Sequence, residues 1–277
     1  MTSTTRNLLI TALSFAAACG DASTTIPEVV CADPSAVDAV DATELYLAAW
    51  SEEDPFERAC MVQRSLAADA VLIDTAHPVE GRSAVMQHVD ARVGLLLAEG
   101  AIREAGSIES RHDEARIPWV VTDQSGMVIE RGEDWLEFNE DGLLFRIHTL
   151  AGPGTDAPVS EQLLAWQRAW NASSEPSRTD ELRAAATEDV RFTDLLTDVQ
   201  GRAALVVEIQ RQQEVLGGEL RLDDRVEVFA TADAQPILIR QSAQIGLPQG
   251  GTYRIVNYVR LRDGRIERLS GFPSSAR

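Results

Sequence analysis

Lysine is absent from this 277-residue chain: all 25 basic residues are arginine, set against 44 acidic ones. Without lysine there is no Schiff-base nucleophile and no lysine-dependent phosphate loop. Histidine is scarce, and His77, His88, His112 and His148 all fall in the first half without metal-ligand spacing. The three cysteines form no C-x-x-C pair, which argues against a structural zinc site, and no metal or cofactor is expected. Neither G-x-S-x-G nor G-x-G-x-x-G occurs, so serine-hydrolase and dinucleotide readings lack their local signature. The shortage of positive charge, a net −19 with a pI near 4.6, opposes phosphate backbones and excludes nucleic acid as an expected partner.

What is present begins with an export pattern. Residues 1–7 are a polar segment carrying Arg6, "LLITALSF" is an apolar run too short to span a bilayer, and "AAAC" ends at Cys19. Small residues before a cysteine resemble a bacterial lipobox. That implies a signal peptide over 1–18, a lipidated Cys19, a tether over 19–40 and a place on the periplasmic side of the cell envelope. The alternative is plain secretion after an A-x-A site. Either way the membrane is expected only as an anchor. In an oxidising compartment the remaining cysteines, Cys31 and Cys60, can form a disulfide pinning the tether to the first domain; otherwise Cys60 is a buried thiol on a helix face.

A length of 277 residues suits two domains. "ADAVLIDTAHPVEGRSAV" returns as "EDVRFTDLLTDVQGRAAL", and Trp50, Asp69, Asp74, Gly81, Arg82 and Ala84 recur as Trp170, Asp189, Asp194, Gly201, Arg202 and Ala204 at a constant offset of 120. Asp141-Gly142 and Asp263-Gly264 correspond at 122, as a small insertion requires. The chain therefore reads as a tandem duplication, with domains over 41–152 and 161–277 and a Gly/Pro/Ser-rich linker over 153–160. Each copy places helices before strands. In the first, Asp54-Pro55-Phe56-Glu57 starts a helix predicted to reach about Ala68, "AVLID" is a strand, and Gly81 opens a longer helix. Alternating strands follow, and Pro118 fits one only at an edge or bulge. This order predicts an α+β fold in which helices cover antiparallel sheets.

The order, together with "GR", "RIPW", "RGEDWLEFNEDG" and the closing "RIHTLAG", resembles the SnoaL-like branch of the nuclear transport factor 2-like superfamily, strongly in the first copy and less so in the second. The resemblance implies two cone-shaped domains, each a curved antiparallel sheet closed by helices around an apolar pocket. It also implies a range of functions, from isomerases, polyketide cyclases and epoxide hydrolases to non-catalytic binders. Asp134 shares a strand face with Leu136 and Phe138, so its carboxylate should point into the cone. By the same resemblance Tyr46, Asp74 and Asp134 fall where ketosteroid isomerase carries its oxyanion tyrosine, its base and its protonated carboxyl donor. That would allow proton transfer next to a carbonyl without a cofactor.

The competing explanation of Asp74 is structural, because aspartate before a turn bonds nearby backbone N–H groups. The second copy offers Trp166 for Tyr46 and Asn257 for Asp134, so any chemistry is expected in the first. The leading expectation is a small apolar ligand in the first cone, lined by Trp50, His77, Trp119, Leu136 and Phe138; an isomerase or cyclase and a structural lipoprotein are the alternatives. His77, Arg82, His112 and Arg116 are candidates for the mouth. Finally, alternation puts Glu133, Trp135 and Glu137 on the back of one sheet and Tyr258 and Arg260 on the back of the other. That predicts a back-to-back intramolecular pseudo-dimer burying Trp135.

Overall fold

The structure is a computed structural model that describes Cys31 and residues 38–74, 78–229 and 237–274. Its first half runs α1 (Ala39–Ala49), α2 (Pro55–Ser65), β1 (Leu66–Ile73), β2 (Pro78–Glu80), α3 (Arg82–Ala98), β3 (Ile102–Ala105), β4 (Glu109–Arg111), β5 (Glu114–Thr122), β6 (Val128–Phe138) and β7 (Leu144–Ala151). The second repeats this order as α4 (Glu161–Asn171), α5 (Glu175–Ala185), β9 (Ala186–Thr193), β10 (Asp198–Gln200), α6 (Arg202–Leu216), β11 (Leu220–Leu222), β12 (Arg225–Phe229), β13 (Ile237–Gly246), β14 (Thr252–Arg262) and β15 (Arg265–Pro273), preceded by β8 (Thr155–Pro158).

Local chemistry accounts for the boundaries. The Asp54 side chain accepts from the Phe56 and Glu57 amides, and Pro55 supplies a preset first turn, so α2 starts where its cap lies. It stops at Ser65, short of the expected Ala68, because Leu66 is already extended and pairs with Leu144 in the sheet. Gly81 and Gly201 open α3 and α6 with φ of 87° and 88°, a backbone that a side chain would strain, which explains the repeated "GR".

The strand orders are β2-β1-β7-β6-β5-β3, with β4 also on β5, and β10-β9-β15-β14-β13-β12-β8, with β11 also on β13. Both sheets are mixed rather than wholly antiparallel, since β1 lies parallel to β7 and β9 to β15. Pro118 sits inside β5 without penalty: the facing edge breaks between β3 and β4, and the Gly106 amide donates to the Pro118 carbonyl there. The segment expected as a linker contributes β8, which pairs with β12 at a sheet edge that tolerates Pro158.

The two sheets meet back to back. Trp135 is buried, stacks on His148 with centroids 4.6 Å apart, and lies 6.0 Å from Tyr258, whose ring meets Phe272 edge-on. Around this apolar patch first-half carboxylates meet second-half arginines. Glu137 accepts from Arg260 (2.5 Å) and Arg268 (2.7 Å), Glu114 accepts from Arg268, and Glu133 accepts from Tyr258 and pairs with Arg240 at 3.0 Å. Asp113 receives Arg191 through both oxygens at 2.6 and 2.7 Å. Burial acts to raise Glu137, but Arg260, His148 and Arg268 outweigh it and hold the carboxyl well below its ordinary range. The first half carries one further constraint, a Cys31–Cys60 disulfide with Cα atoms 5.5 Å apart.

Candidate functional site

Each half encloses a cavity, and the two differ in chemistry. In the first cone, α1 places Tyr46 and Trp50 inward, β5 places Trp119, β6 places Asp134 and β3 places Arg103. Asp134 is fully buried and accepts from the Tyr46 hydroxyl (3.0 Å), Arg103 (2.5 Å) and the Trp119 indole (2.9 Å). The Arg103 guanidinium lies between two indoles, 4.1 Å from the Trp50 centroid and 4.3 Å from that of Trp119. Burial, then the Asp134 charge, push the Tyr46 hydroxyl well above its ordinary range.

Asp134 was expected as a hydrogen-bond donor; in the structure its carboxyl oxygens, beside the apolar Leu136 and Phe138, accept from three donors, one of them a guanidinium. Of the three candidate catalytic groups, Tyr46 and Asp134 are hydrogen-bonded to each other, and Asp74 lies on a neighbouring cavity whose walls include the Arg103 and Trp119 that bond Asp134. Asp74 lines a cavity of about 280 Å³ with His88, 3.5 Å away, Arg92, Glu130, Trp50, Arg103 and Trp119, whereas Tyr46 and Asp134 do not line it. Of the expected ligand-lining residues, Trp50 and Trp119 face this cavity. Leu136 and Phe138 belong instead to the packed core with Leu66, Ile117 and Ile147. Arg82 donates to backbone carbonyls of Gln63 and Leu66, and Arg116 serves the sheet interface through Glu133 and Tyr258. His112 bonds the Asp194 carbonyl of the other half at 3.1 Å. His77, Cys19 and the proposed signal peptide lie outside the described residues.

The second cone holds a cavity of about 320 Å³ whose walls are mainly Trp166, Trp170, Phe192, Leu220, Ile245 and Ile255, with Asp194, Gln212, Tyr253 and Asn257 among its few polar groups. Strand register explains why it is open. Ile117 faces Asp134 as Gln241 faces Asn257, which fixes the equivalences. Two residues along, Trp119 faces Gly132 where Ala243 faces Ile255; two further, Val121 meets Arg103 where Ile245 meets Leu220. The first cone therefore spends its interior on an indole and a guanidinium, and the second has a methyl and an isobutyl group in their places. Gly132 makes the indole possible, since a side chain there would collide with Trp119 and the Leu150 carbonyl.

The polar groups left in the second cone are ordered. Asp194 accepts from the Leu196 amide (2.8 Å) and the Gln212 amide group (2.6 Å), and Asn257 donates to Gln241 (3.0 Å). The Trp170 indole nitrogen is buried with no protein partner. Burial raises the Tyr253 hydroxyl above its ordinary range, with Arg111 acting against it. Sequence reasoning missed Arg103 and the apolar second cavity. Their signals lay in the cross-strand substitutions, which become readable only after the offset grows from 120 at α4 to 124 at β13. Among the described residues no three His, Cys, Asp or Glu side chains converge as a metal site, and no helix is long and apolar enough to cross a membrane.

No family model and no curated protein matches the chain. The solved structures similar to it that follow each cover 40–41% of it. A SnoaL-like family protein from Agrobacterium tumefaciens, provisionally an isomerase, is 21% identical over 41% of this chain and 97% of its own, with a TM-score of 0.38. A provisional polyketide cyclase from Sinorhizobium meliloti is 18% identical over 41% and 99%, with a TM-score of 0.32. A nuclear transport factor 2-like protein of unknown function from Exiguobacterium is 13% identical over 40% and 98%, also with a TM-score of 0.32.

Proposed function

We propose that the protein binds a small apolar ligand, and that it does so in the second cone rather than the first. The observation that carries this is the apolar cavity of about 320 Å³ between Trp166, Leu220 and Ile255, a volume within the range of small-molecule sites. Apolar walls supply the affinity, while Asp194, Tyr253 and Asn257 offer a few fixed partners for one polar group. The first cone, its core closed by Arg103 and Trp119, serves as scaffold in this reading. Export and lipidation at Cys19 would place that scaffold at the cell envelope.

The test is a fluorescence titration with Nile red, an apolar dye whose emission rises out of water. Wild type should bind it saturably, and Ala243→Trp with Ile255→Gly, which restores the facing pair of the first cone, should abolish binding while the protein stays folded by circular dichroism. Undiminished binding by the folded double variant contradicts the assignment. A second reading, proton transfer beside a carbonyl, draws on Asp194, a carboxylate held at the cavity by two donors. It requires turnover of a carbonyl ligand that Asp194→Asn removes without weakening binding.

A further inference from the structure

The cavity of the second cone does not end in a polar rim. Leu195 and Leu196 in the β9–β10 turn, Val215 on α6 and Leu247 in the β13–β14 turn all line it, yet they are 59%, 73%, 66% and 36% exposed. Single exposed leucines are ordinary, but four apolar side chains from three separate elements around one opening form a contiguous patch. The duplication provides an internal control. By the repeat offset Leu195 and Leu196 correspond in sequence to the smaller Thr75 and Ala76, and by strand register Leu247 corresponds to Asp123; Val215 keeps a large apolar counterpart, Leu95. The large apolar rim residues therefore accompany the apolar cavity of about 320 Å³, whereas the first cone's cavity of about 280 Å³ has Asp74, His88, Arg92 and Glu130 on its walls.

Resting on the ligand-binding reading above, we infer that the ligand of the second cone is an uncharged amphiphile with one flexible hydrocarbon chain, longer than the cavity, whose outer part lies across Leu195, Leu196, Val215 and Leu247. Three observations favour this class over a compact ring system. At about 30 Å³ per heavy atom, the space a water takes in the liquid, the cavity of about 320 Å³, reckoned out to the rim residues that line it, holds roughly ten chain carbons, so a longer chain would continue onto the exposed outer faces of those residues. A rigid ring system filling that interior would leave the rim wet, whereas a chain that continues outward covers it. Among the lining groups the cavity offers a carboxylate, Asp194, and one arginine, Arg211, already engaged by Glu208 at 2.6 Å; Arg111, which donates to the Gly271 carbonyl, is not one of the lining residues, so an anionic head inside would meet Asp194 first.

The experiment is displacement of Nile red by n-alkanols from hexanol to tetradecanol, on the full chain and on two variants carrying first-half residues, Leu195→Thr/Leu196→Ala and Leu247→Asp. For wild type, affinity should rise about fourfold per methylene until the interior is full near ten carbons, then continue at about twofold per methylene along the half-covered rim. In both variants the gain should stop near ten carbons. The substituted side chains are solvent-facing, and circular dichroism verifies that each variant is folded. If short alkanols bind but wild type gains nothing beyond ten carbons, or the variants gain as wild type does, the chain-over-rim inference is overturned and the cavity reading stands. If cyclododecanol binds better than n-dodecanol, the ligand class is wrong. If no alkanol of any length displaces the dye, the cavity reading falls and takes this inference with it.

Discussion

The two cones share one plan and use their interiors in opposite ways. In the first, Arg103 reaches in from β3, lies between the Trp50 and Trp119 indoles, and meets Asp134 and Tyr46. In the second, Leu220, Asn257 and Trp166 stand in the corresponding places on the walls of an apolar hollow, and Ala243 replaces the Trp119 indole in the packed core. A buried ion pair of this kind is weak evidence for stability, since desolvation offsets much of the attraction. The pair does keep the first cone's core occupied. Duplication lets one copy carry that role and the disulfide while the other keeps the space, so an inward carboxylate alone does not identify a reactive site.

The largest effect should come from breaking the first cone's pairing. Asp134→Leu leaves Arg103 buried without its partner and should cost about 3 to 5 kcal/mol in urea unfolding. Converting both members to their second-cone equivalents, Arg103→Leu with Asp134→Asn, should recover most of that loss. If the double variant is no better than Asp134→Leu, the two groups are not acting as a pair. Next, the Cys31–Cys60 bridge spans 29 residues of sequence, and Cys60→Ser should lower stability by about 3.6 kcal/mol on the chain-entropy account, with no counterpart in the second half.

A smaller, pH-dependent effect belongs to the seam between the halves. Burial pulls the His148 imidazole down from 6.5 to about 4, despite its bond to Glu137. The unfolded chain therefore takes up this proton first as pH falls. Stability present above pH 6.5 is lost progressively toward pH 4, by roughly 3 kcal/mol at most. Glu137, also held low, adds its own loss below about pH 4.5, in the same direction. Urea midpoints measured from pH 7 to pH 4 should fall for wild type, and His148→Gln should flatten the upper part of that fall. The smallest effect is expected at Asn257→Ala, about 1 kcal/mol, because only its bond to Gln241 is lost and the cavity lets water replace it.

Much of the architecture was legible in the residues, for identifiable reasons. The repeated "GR" marks two glycines with positive φ, Asp54-Pro55 is a helix start written in four residues, and strand alternation placed Asp134 inward and Trp135 outward. Four features were not legible. Arg103 lies on a four-residue strand with too few alternations to reveal a face, so its meeting with Asp134 exists only in register. The donor role expected of Asp134 followed from its own apolar neighbours and did not anticipate a guanidinium arriving from another strand. The residues at 155–158 carry proline and glycine beside them, and only an available sheet edge makes them a strand. The openness of the second cone was hidden for a related reason: Trp119 and Gly132 exchange bulk with Ala243 and Ile255 across two strands, a change invisible along either one.

The most direct measurement of the central claim is a crystal structure of the protein grown with n-decanol. The account predicts chain density in the second cone only, bounded by Trp166, Leu220, Ile245 and Ile255, with the Arg103–Asp134 pair undisturbed in the first. Density in the first cone with Arg103 displaced, or an empty second cone at saturating decanol, would contradict it.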